Sequence, residues 1–181
     1  MTTQPASAYF LIDAKSREIR TTLSILVDNE AGALARVVGL FSGRGYNIES
    51  LTVAETDHHR HTSRITVVTS GTPEVIEQIK SQLGRLVPVH KVVDLSIDKP
   101  GIQREMALIK VAGSGDQRVE ALRLSEAFRA RVIDTTHSSF VFELTGAPAK
   151  IDAFMELMIP LGLVELSRTG VVAISRGAEA M

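Results

Sequence analysis

An α+β protein built from two tandem ferredoxin-like βαββαβ modules is the fold the sequence predicts, and three observations carry that reading. The same order of segment types occurs twice, from about Thr22 to Ile97 and again from Met106 to Ile174. Both copies open their second helix with the same device, Gly71-Thr72-Pro73 in one and Gly146-Ala147-Pro148 in the other, because proline suits the first helical position. Between them, Asp98-Lys99-Pro100-Gly101 interrupts the apolar pattern with residues that favour turns.

Each element follows from its pattern. Leu23-Ser24-Ile25-Leu26-Val27 is a strand-like run stopped by Asp28-Asn29-Glu30, after which Leu34, Val37, Val38 and Phe41 recur at helical spacing. Gly43-Arg44-Gly45 ends that helix, since glycine takes the left-handed terminal position without strain. Ile48 to Ala54 alternates as a strand, and Asp57-His58-His59-Arg60-His61 makes a polar hairpin loop before Ile65-Thr66-Val67-Val68. Thr72 is a capping residue for a helix that carries Val75, Ile76, Ile79 and Leu83 on one stripe, and Val87 to Ile97 closes the unit as a strand.

The second copy runs from the strand Met106 to Val111 through the turn Gly113-Ser114-Gly115-Asp116 to a helix with Val119, Leu122 and Phe128 inward. Val132-Ile133 and Phe140 to Leu144 form a hairpin, a helix follows with Ile151, Phe154, Met155 and Met158 on one face, and Leu163 to Leu166 and Val171 to Ile174 finish the sheet. The resulting division is an N-terminal extension over 1–20, a first module over 21–98, a linker over 99–104 and a second module over 105–177. Four-stranded sheets this small leave bare edges and an open face, so the modules are expected to pair.

Composition narrows the function. In 181 residues, 20 Lys and Arg oppose 21 Asp and Glu, a balance with no overall pull toward a phosphate backbone. Aromatics are 4% with no Trp, so platforms for stacking bases are scarce and no nucleic-acid partner is expected. The absence of cysteine removes disulfides, thiolate metal sites and a cysteine nucleophile. No apolar run approaches the ~20 residues of a membrane span, and a cytoplasmic protein is expected.

No nucleophile elbow, zinc-protease motif, phosphate loop or dinucleotide fingerprint is present. Gly113-Ser114-Gly115 lacks the lysine of a phosphate loop and reads as a tight turn. His58, His59 and His61 could ligate a metal, but a solvated hairpin tip accounts for them more simply. The turn from Asp28 to Leu34 is the better candidate. Asn29 is a capping-type side chain, Gly32 permits close approach to the backbone, and the free N–H groups of a helix start favour a carboxylate. Asn47 supplies a second amide at the start of the next strand, where it could share an edge of the sheet with the end of the first. Two readings stand side by side: Asn29 and Asn47 bind a ligand, or Asn29 caps the helix and Asn47 turns the chain.

The segment from Asn29 to Val53, NEAGALARVVGLFSGRGYNIESLTV, strongly resembles the small regulatory subunits of acetolactate synthase, and the resemblance continues through Glu77-Gln78-Ile79 and Gln82-Leu83 to Ser167-Arg168-Thr169-Gly170-Val171. It covers about Ile19 to Gly177. It implies that the first module is an ACT domain and that the chain is a noncatalytic partner of a thiamine-diphosphate enzyme of branched-chain amino acid synthesis. The implied role is to activate the catalytic subunit and confer feedback inhibition, usually by valine. Thiamine diphosphate, magnesium and flavin would then reside in the catalytic subunit and no cofactor in this chain. The resemblance further implies a homodimer through ACT domains, with the effector between them. Asn29, Gly32, Ala33 and Leu34 would come from one chain, and Asn47 and Ile48 from the other. The stretch before the first strand and the three-histidine loop depart from the family pattern, and neither is expected to touch that site.

Overall fold

A computed structural model describes residues 17–57, 59–98 and 101–180. Most of the expected N-terminal extension, together with His58, Lys99 and Pro100, lies outside them. The first module comprises β1 (Ile19–Asp28), α1 (Ala33–Arg44), β2 (Ser50–Asp57), β3 (Thr62–Gly71), α2 (Pro73–Leu83) and β4 (Val89–Asp94). Its antiparallel sheet has the order β2-β3-β1-β4. The second comprises β5 (Gly101–Ala112), α3 (Asp116–Phe128), β6 (Arg131–Thr135), β7 (Ser139–Gly146), α4 (Pro148–Met158), β8 (Leu163–Arg168) and β9 (Val172–Ser175). Its order is β6-β7-β5-β8, with β9 also on β5. Both modules thus have the expected α+β, βαββαβ-type topology.

Alternation decides which face each strand buries. Leu23, Ile25 and Val27 point to the helices and join Val37, Phe41, Ile65, Val67, Ile76, Ile79 and Leu83 in the first core. Thr72 caps α2, its Oγ1 accepting from Val75 N–H at 3.4 Å, with Pro73 at the first helical position. In the second module Ala107, Ile109, Val111, Phe142, Leu144, Ile151, Phe154 and Met158 form a separate core.

Several expectations require correction. Residues 101–104, assigned to the linker, are the start of β5. A Cβ on Gly101 would meet the Ile174 carbonyl oxygen at 2.8 Å, so the glycine that reads as a breaker is a strand residue at a close backbone approach. The strand expected over Val87 to Ile97 is confined to β4, and residues 95–98 turn. By compactness, one unit ends at Gly101 and also holds residues from Ile174 onward, and the other spans Ile102–Ala173. Val119 does not point inward: it is 66% exposed, and α3 buries the small residues Ala121 and Ser125 instead.

Candidate functional site

The expected ligand residues lie at both ends of the first sheet. Asp28, the last residue of β1, is flanked by Thr62 of β3 and donates its N–H to the Pro88 carbonyl at 2.9 Å. The chain then leaves the sheet at Asn29 and reaches α1 through Gly32, which stands at the N-cap with φ 87°. Only glycine adopts that backbone freely. Asn29 therefore does not cap the helix; α1 has no side-chain cap. Leu34 and Ala35 occupy its second and third positions, where amides lack intrahelical acceptors. Ala33 is buried in the core, whereas Leu34 is 40% exposed at the mouth of the turn. Uncapped amides, an open glycine and a half-exposed leucine provide donors for a carboxylate and an apolar surface beside them.

Asn47 and Ile48 precede β2. The Asn47 carbonyl accepts from Thr69 Oγ1 at 2.6 Å, leaving an exposed side chain, and Ile48 packs partly against the core. Next to them, Glu49 pairs with Arg20 at 2.6 Å and accepts a short hydrogen bond from Ser70 Oγ. The Ser70 hydroxyl, followed by the Arg20 guanidinium, holds the Glu49 carboxyl below the usual glutamate range. A lowered folded pKa means that the unfolded chain binds the proton more tightly. The contribution of Glu49 is thus complete at neutral pH and is lost as pH falls through the acidic range. Replacing Glu49 with Gln should lower the melting temperature at neutral pH and flatten the acid limb of the profile, with variant and parent converging as pH falls.

The strand register sets the distance between the two halves. Ser50 of β2 lies opposite Val68 of β3, and Val68 lies opposite Thr22 of β1. The start of β2 is thus level with Thr22, six residues from Asp28, or about 20 Å along the strand. Asn47 and Asn29 do not share an end of the sheet within one chain, contrary to the expectation from the order of elements.

The histidine-bearing loop does reach the candidate turn: Asn29 donates its N–H to the His61 carbonyl at 2.7 Å. Nearby, His90 Nε2 lies 2.6 Å from Asp28 Oδ1. Sequence reasoning missed both contacts, which depend on register. Among the described residues no group of three His, Asp or Glu side chains is arranged to hold a metal.

The antiparallel βαββαβ topology is that of a ferredoxin-like module, and within that class residues 23–91 match the family described as AHAS small subunit-like ACT domain, which makes the first module an ACT domain. Residues 104–177 match the family described as small subunit of acetolactate synthase. The chain is 46% identical to the acetolactate synthase isozyme 3 small subunit of Escherichia coli over 164 residues, 90% of this chain and 99% of that protein. It is 43% identical to a probable acetolactate synthase small subunit of Archaeoglobus fulgidus, over 88% of this chain and 98% of the relative. The crystal structure of the acetolactate synthase small subunit from Thermotoga maritima superposes with TM-score 0.78 at 37% identity, over 89% of this chain and 99% of that one. This chain belongs to the acetolactate synthase small-subunit family.

Proposed function

We propose that the chain binds the catalytic subunit of an acetolactate synthase, raises its activity, and makes it sensitive to feedback inhibition by valine or a related branched-chain amino acid. The chain itself performs no catalysis in this reading; thiamine diphosphate, magnesium and flavin belong to the catalytic subunit. The observation that carries the effector site is the separation of its two halves. β2 is the outer strand of the first sheet, and its Val53 is 44% exposed. If two copies pair antiparallel along β2 about a two-fold axis, the start of one β2 lies beside the end of the other. Asp57 at that end is level with Thr62 and hence with Asp28. Asn47 and Ile48 of one copy thereby come to the end of the joined sheet that carries Asn29, Gly32, Ala33 and Leu34 of its partner.

The chemistry of the combined site fits a zwitterion. The amides of the α1 start receive a carboxylate, the Asn29 and Asn47 side-chain oxygens accept from an ammonium, and Leu34 and Ile48 flank an aliphatic group. Valine and its homologues differ by a methylene or its placement, worth roughly 1 to 3 kcal/mol. Effector binding favours one arrangement of the pair, and by linkage it opposes the active holoenzyme by one coupling free energy, typically ~1 to 3 kcal/mol.

The test is acetolactate formation by the catalytic subunit, with and without this chain, across a valine titration. Activation followed by valine inhibition is expected. No effect on the catalytic subunit would instead favour a free-standing amino-acid sensor. A second prediction concerns pairing. Val53→Asp places a charge on the outer strand, where charges oppose edge pairing. It should give a monomer by light scattering and remove valine binding together with the dimer.

A further inference from the structure

We propose that His61 is a positioning residue for the effector turn: its left-handed backbone aims the carbonyl that fixes Asn29, so the β2–β3 hairpin sets effector affinity without touching the effector. This inference rests on the site proposed above. After β1 ends, the Asn29 N–H, 2.7 Å from the His61 carbonyl, is the bond that continues the β1–β3 ladder one residue beyond Asp28 and Thr62. The next interactions are internal: Ala33 N–H to the Glu30 carbonyl at 3.2 Å, Arg36 N–H to the Gly32 carbonyl at 3.0 Å, and Glu30 to Arg36 at 3.0 Å. Beyond Asp28, which Thr62, Pro88 and His90 hold, the hairpin tip thus supplies the bond that fixes the Asn29 backbone on the β3 side.

The tip is built for one conformation. His61 has φ 48°, a left-handed value rare outside glycine, though histidine is among the side chains that tolerate it. The residues before it are held by the Asp57 carboxylate, whose Oδ1 accepts from His59 N–H at 2.9 Å and Arg60 N–H at 3.1 Å. A register shift between Glu55 and Asp57 leaves Asp57 opposite Thr62, so the residue that holds His59 and Arg60 is itself paired in the sheet. The His61 side chain is exposed. Replacing it leaves the core untouched, so an effect on the turn would pass through the backbone.

The experiment compares His61→Val, His61→Ala, His61→Asn and His61→Gly in the full chain reconstituted with the catalytic subunit. It records activation, the valine concentration for half-inhibition, and the melting temperature of the free chain. β-Branched valine resists φ > 0, so His61→Val should raise the half-inhibitory concentration about tenfold. His61→Ala should raise it less, and serves if His61→Val does not fold. His61→Asn and His61→Gly accept the conformation and should stay within about twofold of the parent. Activation should be unchanged in all four. Equal valine sensitivity across the folded variants overturns the proposal, as does loss of sensitivity that tracks melting temperature rather than φ preference. Gly32→Asp, run in parallel, separates the two failures: if it too leaves inhibition unchanged, the effector site is misplaced; if it alone abolishes inhibition, only the role of His61 falls.

Discussion

Gly32→Asp is expected to weaken valine inhibition sharply and to leave activation of the catalytic subunit intact. The position is open, since a Cβ there would meet nothing within 4 Å. The backbone has φ 87°, a region in which aspartate is among the better tolerated non-glycine residues. A carboxylate at the start of α1 suits the helix dipole, so the fold is retained. That same carboxylate occupies and repels the place where the effector's carboxylate would bind. Loss of a charge-assisted contact and its replacement by repulsion should raise the half-inhibitory valine concentration by about a hundredfold, or ~2.7 kcal/mol. Valine titration of the reconstituted enzyme measures it, and unchanged sensitivity would remove the α1 turn from the site.

Arg168→Met is expected to lower the stability of the second module by about 3 kcal/mol or more. Glu105, on the helix-facing side of β5, is 4% exposed and receives Arg168 at 2.7 and 2.6 Å through both oxygens. Arg168 also reaches Asp152 at 2.7 Å. Chiefly through the Glu105 hydrogen bonds, the guanidinium is held even more firmly in its charged form. Methionine keeps much of the apolar stem but leaves a buried carboxylate without its counter-ion. The melting temperature should fall by about 10 °C or more. Adding Glu105→Leu should recover most of the loss, because an apolar pair of similar volume can replace a buried ion pair. A single variant as stable as the parent would show that solvent, rather than Arg168, compensates Glu105.

The recurrence of βαββαβ was legible because strand and helix periods alternate twice, and because Pro73 and Pro148 mark two helix starts. The limits of elements were less so. Asp98 to Gly101 has the composition of a linker, yet Gly101 is needed in β5 for close packing against Ile174. Val119 looked like a core residue by type, but α3 buries Ala121 and Ser125, small residues that hydrophobicity alone does not select. The turn residues Asn29 to Leu34 were expected to form a site from their chemistry and from the resemblance, and the structure places them between the end of β1 and the first turn of α1. What the linear order hid was register: Thr22 opposite Val68 opposite Ser50 puts Asn47 far from Asn29 in one chain. The His61 contact was hidden for the same reason, since a hairpin tip meets the end of β1 only once β3 is paired with it.

The shared site is tested most directly by complementation. Gly32→Asp chains and Asn47→Ala chains, each expected to bind valine too weakly to detect on its own, are mixed in equal amounts, allowed to exchange subunits, and titrated with valine by calorimetry. In a mixed dimer one site combines both defects and the other is intact. Random pairing of symmetric dimers thus restores about one site in four, with parental affinity. A mixture that binds no valine after subunit exchange has been verified would place both residues in a site within a single chain and contradict the account.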